Sequence, residues 1–386
     1  MVSQSKREYL ARIKDRYRHA CRKGKSRILD EFCAVCGHHR KHAIRLLGSD
    51  GRRRRRKPGR RSQYGPEEIR VLEEIWLSAD RPCAARLVGM IPLWLPHYEK
   101  RHGDLDGRCR EKLLSVRPRT LDRLMGPVRR KHGGRGLSGT RHGDYLVHRI
   151  PLKISHGQVS EPGFIQADTV AHCGGSMDGN FVWSLTFTDI FTGWTENRAV
   201  WNKGQEGVHE ALRRIEDQLP FGLLGFHTDN GGEFLNHHLH RFYQNRQKPV
   251  QMTRGRPGQK NDNPHAEQKN YTHVRQLLGY DRLGHEELIK PLTELLEKWS
   301  LFKNLYSVTM EQISKIRVGS KEIRRHAKTN RTPAQRLIDG GKISSKQRDW
   351  IEAQLSKSNP FEMKREIEER LRELWDLVDK LDRQES

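Results

Sequence analysis

The chain is short of cysteine, lacks any long apolar run and carries too few acids to balance its bases. Six cysteines in 386 residues cannot make the dense disulfide framework of a small secreted domain. Reduced thiols in a cytoplasmic, nucleoid-associated protein are the expectation. No apolar stretch approaches the roughly 18 residues of a membrane-spanning helix. The N-terminal residues are charged and lack the apolar segment of a signal peptide, so no membrane partner is expected. Asp and Glu number 48 against 73 Lys and Arg, a net charge of +25. Such an imbalance points to a polyanionic partner. Hydrophobic residues, at 34%, still suffice for packed cores.

The charge is unevenly spread. Residues 1–150 hold 38 Lys and Arg against 16 Asp and Glu, residues 151–280 hold 13 of each, and residues 281–386 hold 22 against 19. A basic front on a neutral middle reads as a DNA-binding module joined to a domain with another task. The expected organisation is multidomain. It runs as an α-helical helix-turn-helix unit (1–48), a basic linker (49–65), a second helix-turn-helix-like unit (66–131), a Gly-, His- and Arg-rich linker (132–160), an α/β core (161–280) and a mainly helical region (281–386).

In the first unit, Tyr9, Leu10, Ile13 and Tyr17 recur at helical spacing. Lys23-Gly24-Lys25 reads as a break, and Ser26 as the cap of a second helix carrying Ile28, Leu29, Phe32 and Cys33. Gly37 falls in a turn. Arg40 to Leu47 form a third helix with Ala43, Ile44 and Leu47 inward. Helix, short turn and basic helix is the helix-turn-helix pattern, with Arg40, Lys41 and Arg45 toward DNA. The alternative is a plain three-helix bundle with a solvated basic face. Cys33 and Cys36 followed by His38, His39 and His42 invite a zinc reading. Structural zinc sites separate their ligand pairs by about a dozen residues, and Cys33 fits an apolar helix face as well.

The run Arg52, Arg53, Arg54, Arg55 and Arg56 is too densely charged to fold alone. It reads as a linker that lies along phosphates or enters a minor groove. The second unit starts with Ile69, Leu72, Ile75 and Trp76 on one helical face. It passes an apolar bend at Pro92-Leu93-Trp94-Leu95-Pro96 and ends in a turn and basic helix bearing Arg117, Arg119 and Arg123. Far downstream, Lys315, Arg317, Lys321, Arg324 and Arg325 form another basic cluster. Ile367, Leu371, Leu374, Val378 and Leu381 alternate by four and three, a seam of little more than two heptads. It serves either a dimer contact or the protein's own core.

The middle changes character. Phe164 to Val170 reads as a strand, Phe181 to Asp189 as a second with strict alternation, and Trp194 to Val200 as a third. Gln205 to Leu219 reads as helical. Leu223 to His227 is a short strand ending at Thr228-Asp229, Phe234 to Arg246 is helical, Val250 to Thr253 is a strand, and Pro264 to Leu278 is helical. Asn263 suits the N-cap of that last helix and Pro264 its first position, which aims Glu267 back toward the sheet. Asp168, Asp229 and Glu267 thus stand at strand or helix ends. Singly, each is an ordinary solvated acid, turn residue or helix-dipole partner; together and in this order they are not.

Asp229-Asn230-Gly231-Gly232-Glu233-Phe234 after a strand, then Asp262-Asn263-Pro264-His265-Ala266-Glu267 opening a helix, with Glu267 38 positions past Asp229, resembles the core of the Asp-Asp-Glu insertion-sequence transposases and retroviral-type integrases. The resemblance spans about residues 160–280 and implies a ribonuclease-H-like fold with a five-stranded mixed sheet. It implies that Asp168, Asp229 and Glu267 are the catalytic and metal-binding residues, for two Mg2+ ions with Mn2+ as substitute. Hard cations take carboxylate oxygens, and a two-metal site serves hydrolysis and strand transfer alike. It also implies double-stranded DNA as partner, both terminal repeats and target, and a homo-oligomer on that DNA. The competing readings are a DNA-binding protein or transposase remnant without catalysis, and a nuclease that cuts without joining. Asp189, Glu233 and Asp262 lie close to these motifs but off the matching positions.

Overall fold

In the computed structural model, residues 3–48, 63–132, 159–228, 234, 237–254, 263–310, 312–318, 321–327 and 329–385 are described. The chain divides into two compact units, Met1–Gln63 and Tyr64–Ser386.

The first unit contains α1 (Ser3–His19), α2 (Arg22–Cys36) and α3 (Arg40–Gly48). Ile13, Ile28, Leu29, Phe32, Cys36, Ala43 and Leu47 close a small core between them. Helix α2 begins four residues before Ser26, with Cys21 at its cap and Gly24 inside it. A glycine there costs about 1 kcal/mol of helix propensity. It also admits a close approach, since a Cβ at Gly24 would stand 3.2 Å from Ala20 Cβ. Burial of Ile28, Leu29 and Phe32 outweighs the propensity cost. Gly37 ends α2 at φ +66°, a conformation that suits glycine. Ile44 is 45% exposed rather than inward. Cys33 is half-buried and Cys36 buried, while the His38 ring lies tilted 5.7 Å from Phe32 and edge-on 5.0 Å from His42.

In the second unit, alternation in the sequence becomes a five-stranded mixed sheet. Its elements are β1 (Phe164–Ala171), β2 (Val182–Asp189), β3 (Thr195–Trp201), β4 (Gly225–Thr228) and β5 (Gln251–Arg254). The order is β3-β2-β1-β4-β5. Strand β2 runs antiparallel to β1 and β3, and β4 runs parallel to β1 and β5. This arrangement is compatible with a ribonuclease-H-like core. Ile165, Ala167, Leu185, Phe187 and Phe226 are buried on one face. Helices α8 (Gln205–Gln218) and α9 (His237–Gln244) follow β3 and β4; Val208, Leu212 and Ile215 of α8 recur at helical spacing and are buried. The opposite face carries Gln166, Asp168, Thr186, Thr188 and Asn197 by register. Over it lies α10 (Pro264–Lys269), which continues through a π-helical turn, Asn270–Arg275, into α11 (Gln276–Leu278).

The outer edge of β3 is covered by α12 (Ile289–Tyr306), which follows a short 3-10 turn, Glu286–Leu288. Asn304 Oδ1 accepts from Thr195 N at 2.9 Å, its Nδ2 donates to Thr195 O, and Ser300 Oγ accepts from Asn197 N at 3.1 Å. An edge strand's open backbone groups are thereby satisfied.

Helices α4 (Pro66–Ser78), α5 (Ala84–His102), α6 (Gly107–Ser115) and α7 (Pro118–Lys131) share one continuous core with the sheet unit. The apolar segment around Pro92 and Pro96 does not separate two elements: α5 continues through both prolines. Packing overrides the local penalty, because Met90, Ile91, Trp94, Leu95 and Tyr98 are all at most 1% exposed. Trp94 Nε1 donates to Tyr306 O at 3.2 Å, and its ring meets Phe361 edge-on at 5.1 Å.

After α12 the expected mainly helical region holds a β-ribbon, β6 (Gln312–Val318) and β7 (Lys321–His326). Ile313, Ile316, Val318 and Ile323 are β-branched residues that favour strands, a signal hidden by the surrounding charge. Helices α13 (Pro333–Gly340), α14 (Ser345–Lys357) and α15 (Pro360–Glu385) complete the unit. The heptad seam of α15 packs on the protein's own core: Ile367, Leu374 and Val378 are buried, and Leu371 and Leu381 pack against them. Arg370 pairs with Glu294 of α12 at 2.9 Å, and Lys298 pairs with Glu366.

Candidate active site

Asp168 lies in the middle of β1, opposite Thr186 of β2. Its Oδ1 accepts the Thr169 amide at 2.8 Å, and its Oδ2 accepts Asn270 Nδ2 at 2.7 Å. Asn263 occupies the expected N-cap position but makes no capping bond. Its Nδ2 instead donates to the Ala167 carbonyl at 2.7 Å. The next anchor is the His265 amide, which donates to Gln166 Oε1 at 2.8 Å. Three bonds therefore fix this helix to three consecutive residues of β1.

Glu267 sits between those anchors. It lies four residues after Asn263 and three before Asn270, and residues three or four apart share a helix face. The face that touches Ala167 and Asp168 at either end thus carries Glu267 in its middle, exposed to solvent. Asn263 Oδ1 and Asn270 Oδ1 are buried without a hydrogen-bond partner. Carboxylate and amide oxygens are the donor set a hard divalent cation takes, so the residues present fit Mg2+. Among the described residues no three His, Cys, Asp or Glu side chains gather as a metal cluster. Asp229 lies outside the described residues. Strand β4 ends at Thr228, whose Cα partner on β1 is Ala167, the residue before Asp168.

The reverse face of the same helix is basic and buried. Lys269 is 6% exposed, and burial, followed by Arg336, Lys303 and Arg86, lowers its ammonium to about 7. His273 is held well below its ordinary range by burial, with Lys269 adding to it. Trp299 Nε1 donates to the His273 carbonyl at 2.8 Å, and Lys303 Nζ stands 4.2 Å from the Trp299 ring. Burial opposes ammonium and imidazolium charge.

Asp189 is a structural residue. It is fully buried at the end of β2, and it accepts Gly163 N at 2.8 Å, Thr192 N at 2.7 Å and Thr192 Oγ1 at 2.6 Å. Burial raises it to about 6 against the pull of those donors.

The expected DNA-contacting residues that are described fall in both units. Arg40 is tied to Asp30 and to Ser26 Oγ on α2. Lys41 is exposed, and Arg45 is exposed with one nitrogen 3.0 Å from His42 Nδ1. Arg117, Arg119 and Arg123 are exposed at the start of α7. Arg52, Arg53, Arg54, Arg55 and Arg56 lie outside the described residues. Asn270, which donates to Asp168, was not among the residues singled out in the sequence. Its three-residue spacing from Glu267 was the available signal.

Comparison with known proteins adds a family. No protein-family model matches the sequence. The chain is 37% identical over 328 residues to the protein described as "Uncharacterized protein y4rM" of Sinorhizobium fredii (strain NBRC 101917 / NGR234), covering 83% of this chain and 91% of that one. The chain belongs to the y4rM family. Among solved structures, the catalytic core domain of BIV integrase matches at a TM-score of 0.30 and 13% identity, over 46% of this chain and 94% of that one. A simian T-cell lymphotropic virus intasome matches at 0.30 and 14%, over 39% and 51%. The reading of the y4rM-family fold rests on the strand order and register given above.

Proposed function

We propose that the chain is a DNA transposase of the Asp-Asp-Glu type, which binds the ends of a mobile element, cleaves them and joins them to target DNA. The observation that supports this most is the docking of Asn263 and Asn270 on β1, either side of Glu267 in the helix, with Asn270 bonded to Asp168. On this reading the docking sets an exposed glutamate beside the central strand that carries Asp168. Asp229 is the third ligand of this reading. Two magnesium ions held by Asp168, Asp229 and Glu267 would supply an acidified attacking hydroxyl and charge neutralisation at the leaving oxygen. Within the protein, Asn270 orients the Asp168 carboxylate, the β1 anchors fix the helix, and exposed Arg side chains hold phosphates. Joining two ends calls for more than one copy on the DNA.

Asp168→Asn, Asp229→Asn and Glu267→Gln test the reading on an end-labelled duplex with Mg2+. Each removes a ligand charge at nearly constant shape. Cleavage and joining should vanish in each while duplex binding persists. A variant that cleaves at the wild-type rate would remove its residue from the site. A wild-type chain that binds duplex and neither cuts nor joins would leave a DNA-binding protein.

A further inference from the structure

Strands β6 and β7 pair chiefly with each other. Among the described residues, neither strand packs extensively on another element. Ile316, near the ribbon's centre, is 48% exposed. A lone two-stranded hairpin is marginal in water, so one whose central isoleucine stands open to solvent calls for a partner outside the fold.

Its sequence and register suggest what kind. The two strands carry Lys315, Arg317, Lys321, Arg324 and Arg325 against a single acid, Glu322. The register sets Lys315 opposite Arg324, and Ser314 opposite Arg325. Like charges paired across a ribbon repel, and a polyanion relieves that repulsion. The root, in contrast, is firmly held. Thr309 and Arg331 form an antiparallel bridge below the ribbon, with Thr309 N donating to Arg331 O at 3.0 Å. Next to it, Asn330 Nδ2 donates to the Ala85 carbonyl at 2.8 Å, and Arg336 Nη2 donates to the Thr309 carbonyl at 2.9 Å. A rigid base thus presents a basic ribbon seven residues long on one strand and six on the other.

We infer that β6–β7 is a second DNA-binding element, a ribbon that seats on double-stranded DNA and grips the phosphates flanking a groove. The B-DNA major groove, about 12 Å wide, admits a two-stranded ribbon. At about 3.4 Å per residue the strands are long enough to cross it and meet both backbones. The root lies in the same unit as Asp168 and Glu267, so the ribbon holds the DNA on which that site acts. The inference rests on the function proposed above. It differs from the helical DNA-binding surfaces expected in residues 1–131.

The test uses the full chain with Lys315→Gln, Arg317→Gln, Arg324→Gln and Arg325→Gln combined. A control carries the same loss of charge on exposed positions of α15: Arg365→Gln, Arg372→Gln, Lys380→Gln and Arg383→Gln. Affinity for a labelled duplex is measured by fluorescence anisotropy between 50 and 200 mM salt, with circular dichroism and Tm confirming the fold. Each lost phosphate contact lowers the log–log salt slope by about 0.9. The ribbon variant should lose roughly two to four units of slope and bind about tenfold or more weakly at 100 mM salt, with the α15 control near wild type. Equal losses in both variants, or an unchanged slope in the ribbon variant, would overturn the inference and leave the proposed function standing. A wild-type chain that binds no duplex would overturn both. Retained DNA binding with lost self-association would make the ribbon a protein contact instead, and overturn it too.

Discussion

Asn270 and Asp189 show how single side chains do different work at two ends of one sheet. Asn270 donates to Asp168 at 2.7 Å and so fixes one carboxylate oxygen, leaving the rotamer little freedom. Groups that orient a metal-binding residue typically contribute 10–100-fold to metal affinity or activity. Asn270→Ala should therefore slow Mg2+-dependent cleavage by about that factor and raise the Mg2+ concentration needed for half-maximal rate, while duplex affinity stays put. An unchanged Mg2+ dependence would show that Asp168 needs no such support. Asp189 instead holds Gly163 and Thr192, and Gly163 sits at φ +115° with a carbonyl only 2.4 Å from where a Cβ would stand. Because burial raises its folded value to about 6 from an ordinary 3.8, the folded state holds the extra proton between those values. The stability this adds is complete below about pH 4 and is lost as pH rises through 6, a change of about 3 kcal/mol. Asp189→Asn removes that pH dependence. It also turns an N–H toward donors that the ionised carboxylate accepts, which should cost about 1–3 kcal/mol at pH 7. Urea unfolding of both proteins at pH 4 and pH 7 measures the two effects. A wild-type curve that is flat over this range would put the proton elsewhere.

Among elements, the five strands of the sheet were the most legible in the sequence, and the β6–β7 ribbon and the run of α5 through its prolines the least. Alternation fixes a strand's two faces, so the strands read as Phe164 to Val170 and Phe181 to Asp189 fall within one residue of the observed bounds at each end. The turn into α10 was readable from Asn263-Pro264. What could not be read were choices made by distant partners. Pro92 and Pro96 punctuate a helix in isolation, yet Trp94 finds Tyr306 and Phe361 more than two hundred residues away. Gly89 is another such case: a Cβ there would meet the Asn330 carbonyl at 2.9 Å. Ile316 and Ile323 were hidden by neighbouring cations, and the seam of α15 fitted a dimer contact as well as a core. The structure decides the last case, since Leu374 is 1% exposed in the core that α15 shares with α12. Leu374→Ala should destabilise the second unit by about 2–5 kcal/mol, the range for emptying a buried leucine site. Leu371→Ala, at a half-buried position, should cost less. Denaturant unfolding gives both values. Equal and small losses would mean that α15 is loosely attached, and the dimer role would regain its footing.

At the scale of the whole molecule, two units with separate cores make a separable prediction. Among the described residues, the buried core of residues 1–63 is built from Ile13, Ile28, Leu29, Phe32, Cys36, Ala43 and Leu47. A domain near 60 residues buries only about 60% of the surface its unfolded chain exposes and is correspondingly marginal. The second unit has one continuous core reaching from Val71 to Val378. Charge is divided the other way: residues 1–63 hold 21 Lys and Arg against 5 Asp and Glu, so +16 of the net +25 lies in the smaller unit. Stability and affinity should therefore come apart when the chain is cut. A chain of residues 64–386 should keep the main calorimetric transition of the full protein within a few degrees, because none of its core residues is removed. Its duplex binding should weaken steeply, and the salt slope should fall by several units, about 0.9 for each phosphate that the missing cations neutralised. Mg2+-dependent nicking of DNA at low salt should survive, since Asp168, Asp229 and Glu267 all remain. Should truncation lower the main transition by ten degrees or more, the two cores are coupled after all. If instead the salt slope is unchanged, the basic front is not what holds DNA, and residues 64–386 must supply the whole of the binding.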